Sequence, residues 1–173
     1  MAKIAVLFAD GTEEIEGITP VDVLRRAGAE CDIVSVGGEY LTGSHGIIIK
    51  ADKLIKDINV CAYDAVVIPG GMPGATNIAE NEKAIELIKH IISKGKLVGA
   101  ICASPAVVLA QNDLLLARSA TCFHADCFIN ELGKNYTGKE VEISDNFITA
   151  DGPKSALKFA MAIAKYLELD PKM

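Results

Sequence analysis

The stretch Leu97-Val98-Gly99-Ala100-Ile101-Cys102-Ala103-Ser104-Pro105 decides the fold class of this chain. Its first five residues form an apolar run of strand length, and Pro105 suits the first turn of a helix, where a missing N–H is harmless. The residues two before and two after the cysteine, Ala100 and Ser104, are both small. A sharp strand-to-helix turn brings those two positions together and therefore requires small residues. The stretch predicts a nucleophile elbow with Cys102 at its tip.

Cys102 has two interpretations at this point. A thiol at the start of a helix lies near a partial positive charge, which favours the thiolate and predicts a lowered pKa. The alternative is a structural cysteine, because free cysteine is among the most buried residue types. The elbow pattern favours the reactive thiol.

Outward from the elbow, apolar runs of strand length alternate with segments of helical period, which is the pattern of a parallel sheet covered on both faces. The sequence predicts a flavodoxin-like α/β sandwich of three layers, with a mostly parallel sheet and one domain over residues 1–173. The predicted strands are Lys3–Phe8, Cys31–Val36, Ala65–Ile68, Leu97–Ile101 and Ser119–Cys122, an excursion like a hairpin over 41–55, and an edge hairpin of Val141–Ser144 and Phe147–Ala150. The predicted helices are Glu14–Ala27, with a kink or a broken first turn from Pro20, and Ala84–Ser93, Ser104–Ala110, Ala125–Leu132 and Ala156–Leu167.

Composition excludes several functional classes. The chain has 173 residues and a net charge of −6, which argues against nucleic acid as a partner because that affinity rests on clustered Lys and Arg. No apolar run approaches the roughly 18 residues that span a bilayer, so we expect no membrane partner. The five cysteines are odd in number and show no Cys-x-x-Cys spacing, which predicts free thiols and a cytoplasmic location.

The segment Pro69-Gly70-Gly71-Met72-Pro73-Gly74 follows a predicted buried strand. Glycines there let the backbone approach a ligand with its N–H groups, so the N–H of Gly71 could join those of Cys102 and Ala103 in an oxyanion hole. A simple tight turn is an equally good interpretation. The spacing fits no phosphate-binding loop.

Two polar segments are less specific. Glu13, Glu14 and Glu16 follow the first strand at the start of a helix, and composition alone favours a solvated helix face for all three. The segment Cys122-Phe123-His124-Ala125-Asp126-Cys127 could be read as a metal site, but its spacing matches no standard zinc pattern. We therefore expect no metal and no other cofactor.

Taken together, the motifs resemble those of the ThiJ/PfpI superfamily, in its protein-deglycase branch, over essentially the whole length. They are Glu13-Glu14-Ile15-Glu16, the run from Pro20 to Gly28, Pro69-Gly70-Gly71, Ala100-Ile101-Cys102-Ala103 and Gly152-Pro153. The resemblance implies a flavodoxin-like homodimer in which Cys102 is the nucleophile and Glu16 its hydrogen-bond partner and general base. It also raises Glu16 from a surface residue to the leading partner of the cysteine.

The chain departs from the family pattern at a few positions. The strand after the elbow often delivers a histidine in this branch, whereas Phe123 and then His124 stand at the matching positions here. His124 is therefore only a tentative catalytic residue, because the alternation of a strand would turn it to the other face. Ser104 and Lys154 stand where relatives commonly have glycine. The related proteases carry histidine directly after the nucleophile, where this chain has Ala103, which argues against protease activity.

The resemblance implies an enzyme that acts on methylglyoxal, glyoxal or their early adducts with protein, without metal or redox cofactor. Cys102 would attack the aldehyde, and Glu16 would move a proton between adjacent carbons. The alternative is a redox sensor or stress chaperone that uses the same cysteine, and a weaker one is a role in thiazole-phosphate metabolism. The sequence does not separate the first two, because both need an accessible, reactive thiol.

Overall fold

The computed structural model describes residues 1–173 and centres on a seven-stranded sheet with the strand order β5-β2-β1-β6-β7-β9-β8. All neighbouring strands in it are parallel except β8, which pairs antiparallel with β9. Two further strands, β3 and β4, form a separate antiparallel hairpin. In chain order the strands are β1 (Lys3–Phe8), β2 (Glu30–Ser35), β3 (Tyr40–Thr42), β4 (Ile48–Lys50), β5 (Lys53–Leu54), β6 (Ala65–Ile68), β7 (Leu97–Ile101), β8 (Val141–Ser144) and β9 (Phe147–Ala150).

Helices cover both faces of this sheet. The α-helices are α1 (Glu14–Arg26), α2 (Gly74–Ala79), α3 (Glu82–Ser93), α4 (Asp126–Leu132) and α5 (Ala156–Tyr166). The segment Pro105–Ala110, which we call the elbow helix, is a π-type helix directly after β7. Short 3₁₀ turns complete the list: Ile55–Asp57, Val60–Ala62, Gly133–Asn135 and Pro153–Ser155. Each of the helices is too short or too polar to cross a lipid bilayer.

Two apolar cores, one on each side of the sheet, account for this layering. In β1, Ile4, Val6 and Phe8 enter one core, while Ala5 and Leu7 enter the other. Since successive strand residues point to opposite faces, a strand buried on both sides reads as a continuous apolar run. The predicted flavodoxin-like α/β fold with a mostly parallel sheet is confirmed.

Two predicted local features differ in the structure. Ser119–Cys122 is not a strand, since only an isolated bridge joins Ala120 to Tyr136. The Thr121 N–H donates to the side-chain oxygen of Thr149 rather than to a backbone ladder. Helix α1 is continuous from Glu14 through Pro20, so the expected broken first turn is wrong, and the alternative of a kink at Pro20 stays a prediction.

The topology brings the chemically interesting loops together. Strands β1, β6 and β7 are neighbours in the sheet, so the loops at their carboxyl ends meet at one edge. These loops carry the start of α1, the segment Pro69–Gly71 and Cys102.

Candidate active site

Cys102 occupies the tip of the strand-to-helix turn, as the sequence predicts. Its φ of 66° lies in the left-handed region, which is unusual for a residue other than glycine. The conformation is held on both sides: the Cys102 N–H donates to the Ala150 carbonyl at 2.9 Å, and the Phe123 N–H donates to the Cys102 carbonyl at 2.8 Å. Such a conformation persists where the surrounding structure determines it, and it aims the half-buried thiol out of the sheet edge.

Glu16 is fully buried, so the surface position that composition favours is wrong. Helix α1 packs so tightly on β1 that a Cβ at Gly17 would overlap the ring of Phe8. This contact places Glu16, the residue before Gly17 in α1, at the sheet edge. Glu16 Oε2 accepts a hydrogen bond of 2.8 Å from the Gly70 N–H, whereas Oε1 is buried without a hydrogen-bond partner of normal geometry.

Gly70 lies between Glu16 and Cys102. A Cβ at this position would lie 2.6 Å from the Cys102 Cβ and 2.7 Å from Glu16 Oε2. Only glycine therefore allows the carboxyl and the thiol to share this space. The glycine content of the segment indicates a close approach, but it does not tell which of the glycines makes it.

Backbone donors surround the sulfur. The N–H groups of Gly71 and Ala103 lie in hydrogen-bonding position to Cys102, and each lowers the pKa of the thiol. The third predicted donor of the oxyanion hole differs, because the N–H of Cys102 itself is already bound to Ala150. Gly71 and Ala103 are thus the donors that could stabilise negative charge beside the sulfur.

The carboxyl and the thiol form a coupled acid pair. Burial raises the pKa of Glu16 to about 7, against the hydrogen bonds from Cys102 and the Gly70 N–H, and the nearby charge of Glu13 adds to the rise. Burial also raises the pKa of the Cys102 thiol, and the ionised Glu16 raises it further. The prediction of a lowered thiol pKa is therefore wrong, because burial and the carboxylate outweigh the N–H donors. Two potential anions in contact lose their protons as one unit.

The imidazole of His124 lies apart from this pair. Its ring is exposed, and Nδ1 lies 3.2 Å from the Tyr136 hydroxyl. His124 instead lines a small cleft of about 140 Å³ together with Phe123, Asp151, Gly152, Pro153 and Lys154. The structure brings Glu16, Gly71 and Ala103 to Cys102 and leaves the tentative His124 outside.

A second polar cluster adjoins the start of α1. Single ligand atoms of Glu13, Glu14 and His45 lie within 4.8 Å of one another, so these residues could hold a metal ion. Ser44 Oγ lies 3.0 Å from Glu13 Oε2 and 3.2 Å from Glu14 Oε2. Burial would raise the pKa of Glu14, but N–H donors including those of His45 and Ile47, with the His45 ring, lower it to about 2. The sequence does not show this cluster, because its two halves are far apart in the chain: 30 positions separate Glu14 from Ser44 and 31 separate it from His45.

Comparisons with known proteins find similarity over nearly the whole chain. A family model described as "DJ-1/PfpI family" matches residues 2–166. The chain is 36% identical to Protein DJ-1 homolog B of Arabidopsis thaliana over 94% of its own length, but it spans only 37% of that relative. It is also 36% identical to the Glutathione-independent glyoxalase DJR-1.2 of Caenorhabditis elegans, covering 96% of this chain and 89% of the relative.

A solved structure of oxidized DJ-1 from Toxoplasma gondii superposes on this chain with a TM-score of 0.93. The two are 38% identical, and the match covers 96% of this chain and 91% of the other. The family model and the relatives together cover nearly every residue described above, including the elbow and the start of α1. The chain belongs to the DJ-1/PfpI family.

Proposed function

We propose that this protein converts methylglyoxal and glyoxal to the corresponding hydroxy acids, with Cys102 as nucleophile and Glu16 as the proton-transferring group. The observation that carries the proposal is the buried pair itself. A thiol at the tip of an elbow shares one space with a carboxyl whose pKa burial raises to about 7. A carboxyl group whose pKa is near 7 can both donate and accept a proton at physiological pH.

The proposed reaction begins from the minor form of the singly protonated pair, in which Glu16 and not the sulfur holds the proton. The Cys102 thiolate attacks the aldehyde carbon, and the proton of Glu16 passes to the new alkoxide to give a hemithioacetal. The N–H groups of Gly71 and Ala103 would hold the oxygen while negative charge develops on it.

The Glu16 carboxylate then removes the hydrogen of the former aldehyde carbon as a proton and returns it to the adjacent carbonyl carbon, while the hydroxyl proton of the hemithioacetal moves to the neighbouring oxygen. This transfer moves two electrons from the first carbon to the second and leaves a lactoyl thioester on Cys102. Water cleaves the thioester, releasing lactate and restoring the thiol. The substrate gains one water and no electrons overall, so the scheme requires no redox cofactor.

One relative supports this reaction class by its name. The Caenorhabditis elegans protein is called a glutathione-independent glyoxalase. In the proposed scheme the Cys102 thiol supplies the sulfur, so no glutathione is needed here. We extend the proposal to early adducts of glyoxals with protein amines. These adducts are hemiaminals, which release the protein amine and the free aldehyde when their C–N bond breaks, so that Cys102 can attack the aldehyde carbon as before. We also extend the proposal to a homodimer located in the cytoplasm.

A second candidate function uses the same sulfur as a redox sensor, with or without chaperone activity. Glu16 Oε1 is buried and accepts no hydrogen bond of normal geometry, and two N–H groups face the sulfur. Stepwise oxidation of the thiolate by hydrogen peroxide, with one water released per step, would give a sulfinate that these groups could bind.

Lactate formation tests the primary proposal. Purified protein incubated with methylglyoxal should form lactate, and Cys102→Ser should abolish this activity. Cys61→Ser should retain it, because Cys61 is exposed and precedes β6, at the end of the sheet opposite the elbow. Equal lactate formation by wild type and Cys102→Ser would refute the proposal. An inactive wild type whose Cys102 becomes sulfinate in dilute peroxide would favour the second candidate.

A further inference from the structure

Ser104 uses its hydroxyl in an unusual way for its position. It precedes the elbow helix, where a serine commonly accepts a hydrogen bond from an N–H of the first helical turn. No such capping bond forms here. The fully buried hydroxyl instead donates to the Pro69 carbonyl at 2.5 Å, at the end of the neighbouring strand β6.

The acceptor belongs to a peptide unit that serves Glu16. The Pro69 carbonyl and the Gly70 N–H lie in one planar group, in which the two bonds point in opposite directions. Fixing the carbonyl therefore fixes the direction of the N–H, and that N–H donates to Glu16 Oε2 at 2.8 Å. A hydrogen bond accepted by the carbonyl also polarises the N–H and makes it a stronger donor.

The next peptide unit repeats the arrangement for Cys102. The Gly70 carbonyl accepts a hydrogen bond of 3.0 Å from the Glu13 N–H. The Gly71 N–H at the other end of that unit faces the sulfur of Cys102. Two successive peptide units are thus anchored at their carbonyls, and each presents its N–H to one member of the reactive pair.

The two anchoring hydrogen bonds differ in whether a substitution can remove them. A backbone N–H of Glu13 holds the second unit, whereas a side chain holds the first. Among the hydrogen bonds of the molecule, Ser104 supplies the one that the Pro69 carbonyl accepts. Gly70 tolerates many backbone conformations, so the first unit has little intrinsic resistance to rotation without that anchor.

We propose that Ser104 is a positioning residue that holds the Pro69–Gly70 peptide in the orientation in which its N–H serves Glu16. This role concerns the Glu16–Cys102 pair and deepens the proposed function. Its importance for catalysis rests on that proposed function. The hydroxyl touches neither Glu16 nor Cys102, and it acts on them through one peptide group.

The variant Ser104→Ala tests this inference through the pH dependence of thiol reactivity. Loss of an oriented N–H donor disfavours the Glu16 carboxylate, so the pair should release its proton at a higher pH. The rate of iodoacetamide labelling at Cys102, followed by peptide mapping from about pH 5 to about pH 9, should show its inflection shifted upward by about half a pH unit or more, roughly a threefold change in proton affinity. Ser104→Gly, which lacks the hydroxyl and adds no bulk, should give the same shift.

Two controls separate positioning from simple stability. Ser35 is also fully buried and donates its hydroxyl to a backbone carbonyl, that of Gly38, at 2.7 Å, but it lies at the end of β2. Ser35→Ala should lower the unfolding temperature comparably and leave the labelling profile unchanged. In a Glu16→Gln background, Ser104→Ala should shift the profile no further, because the group that the N–H serves no longer titrates.

A labelling profile of Ser104→Ala that superposes on wild type would overturn the inference. So would an equal shift in the Glu16→Gln background, or an equal shift in Ser35→Ala. Labelling requires no turnover of methylglyoxal, so the outcome is independent of whether the protein forms lactate.

Discussion

At the scale of single residues, the site depends on two acids that cannot both ionise cheaply. Glu16 and Cys102 flank the position where Gly70 has no side chain, and burial raises the pKa of each. When the pair has lost one proton and Glu16 keeps the other, the carboxyl O–H can donate to the sulfur. Glu16 then stabilises the thiolate, whereas an ionised Glu16 destabilises it. The reactive form is therefore a property of the pair, and we expect it to accumulate as the pH rises through about 7.

This coupling predicts a ranking of two substitutions. Glu16→Gln should lower kcat/KM for methylglyoxal by about a hundredfold or more, because it removes the group that moves the proton; a hundredfold loss is about 2.7 kcal/mol of barrier. His124→Ala should change it by less than about tenfold, because the imidazole contacts Tyr136 and not the pair. Steady-state rates from about pH 5 to about pH 9 measure both.

The pH profile adds an internal check on this ranking. Wild type and His124→Ala should share an inflection near pH 7, and Glu16→Gln should lose it. A loss for His124→Ala equal to that for Glu16→Gln would overturn the placement of His124 outside the reactive pair.

At the scale of elements, the docking of the hairpin β3–β4 onto the start of α1 shapes the approach to the site. The Ser44 N–H donates to the Thr12 carbonyl at 2.9 Å, and the His45 N–H donates to Glu14 Oε1 at 2.8 Å. Gly43 allows this approach, since a Cβ there would overlap the Glu14 carboxyl group. The hairpin and α1 therefore hold each other through a nearly buried carboxylate.

Gly43→Ala should release this contact. The Glu14 side chain would have to move and lose the N–H donors of His45 and Ile47, which should lower the free energy of unfolding by about 1–3 kcal/mol. Gly37→Ala is the matched control, because a Cβ there meets its nearest atom at an ordinary 3.6 Å. Urea unfolding of both variants measures the difference, and equal stability would contradict the proposed role of the contact.

The elements also show where sequence reasoning succeeds. The bounds of β1, β6, β7, β8 and β9 agree with prediction, because apolar runs bounded by turns are local signals. Ser119–Cys122 has the same local pattern but forms no strand, because its backbone groups find partners elsewhere, among them the Thr149 hydroxyl. Local sequence indicates neither helix α2 nor the pairing of β5, inside the expected excursion over 41–55, with the main sheet, because both elements are short.

In the candidate site, too, some features follow from local sequence and others depend on tertiary contacts. The elbow is visible in local sequence because its steric demand falls on neighbouring positions. Glu16 became a candidate through the resemblance to a family, since its burial depends on the packing of α1 against β1. The bond from Ser104 to Pro69 joins residues 35 positions apart, and no local pattern encodes it.

At the scale of the whole molecule, one surface remains apolar and exposed around the start of α1 and the hairpin. Ile15 and Ile18 on α1 are 53% and 39% exposed, and Ile47 and Ile48 on the hairpin are 56% and 70% exposed. The two parts adjoin, because the Ile47 N–H donates to Glu14 Oε1 at 3.3 Å. Clusters of exposed apolar side chains of this kind commonly mark a protein interface.

We expect this surface to form the interface of a homodimer, and Ile48→Lys tests the expectation. At micromolar concentration, sedimentation should give a mass about twice the 18.3 kDa of the chain. Ile48→Lys should shift the mass toward the monomer, since burying an unpaired ammonium in an apolar contact is costly. Ile143→Lys, at a residue on β8 that is 54% exposed and outside this surface, is the matched control and should remain dimeric. A monomeric wild type would refute the dimer, and an Ile48→Lys variant that stays dimeric would move the interface away from α1 and the hairpin.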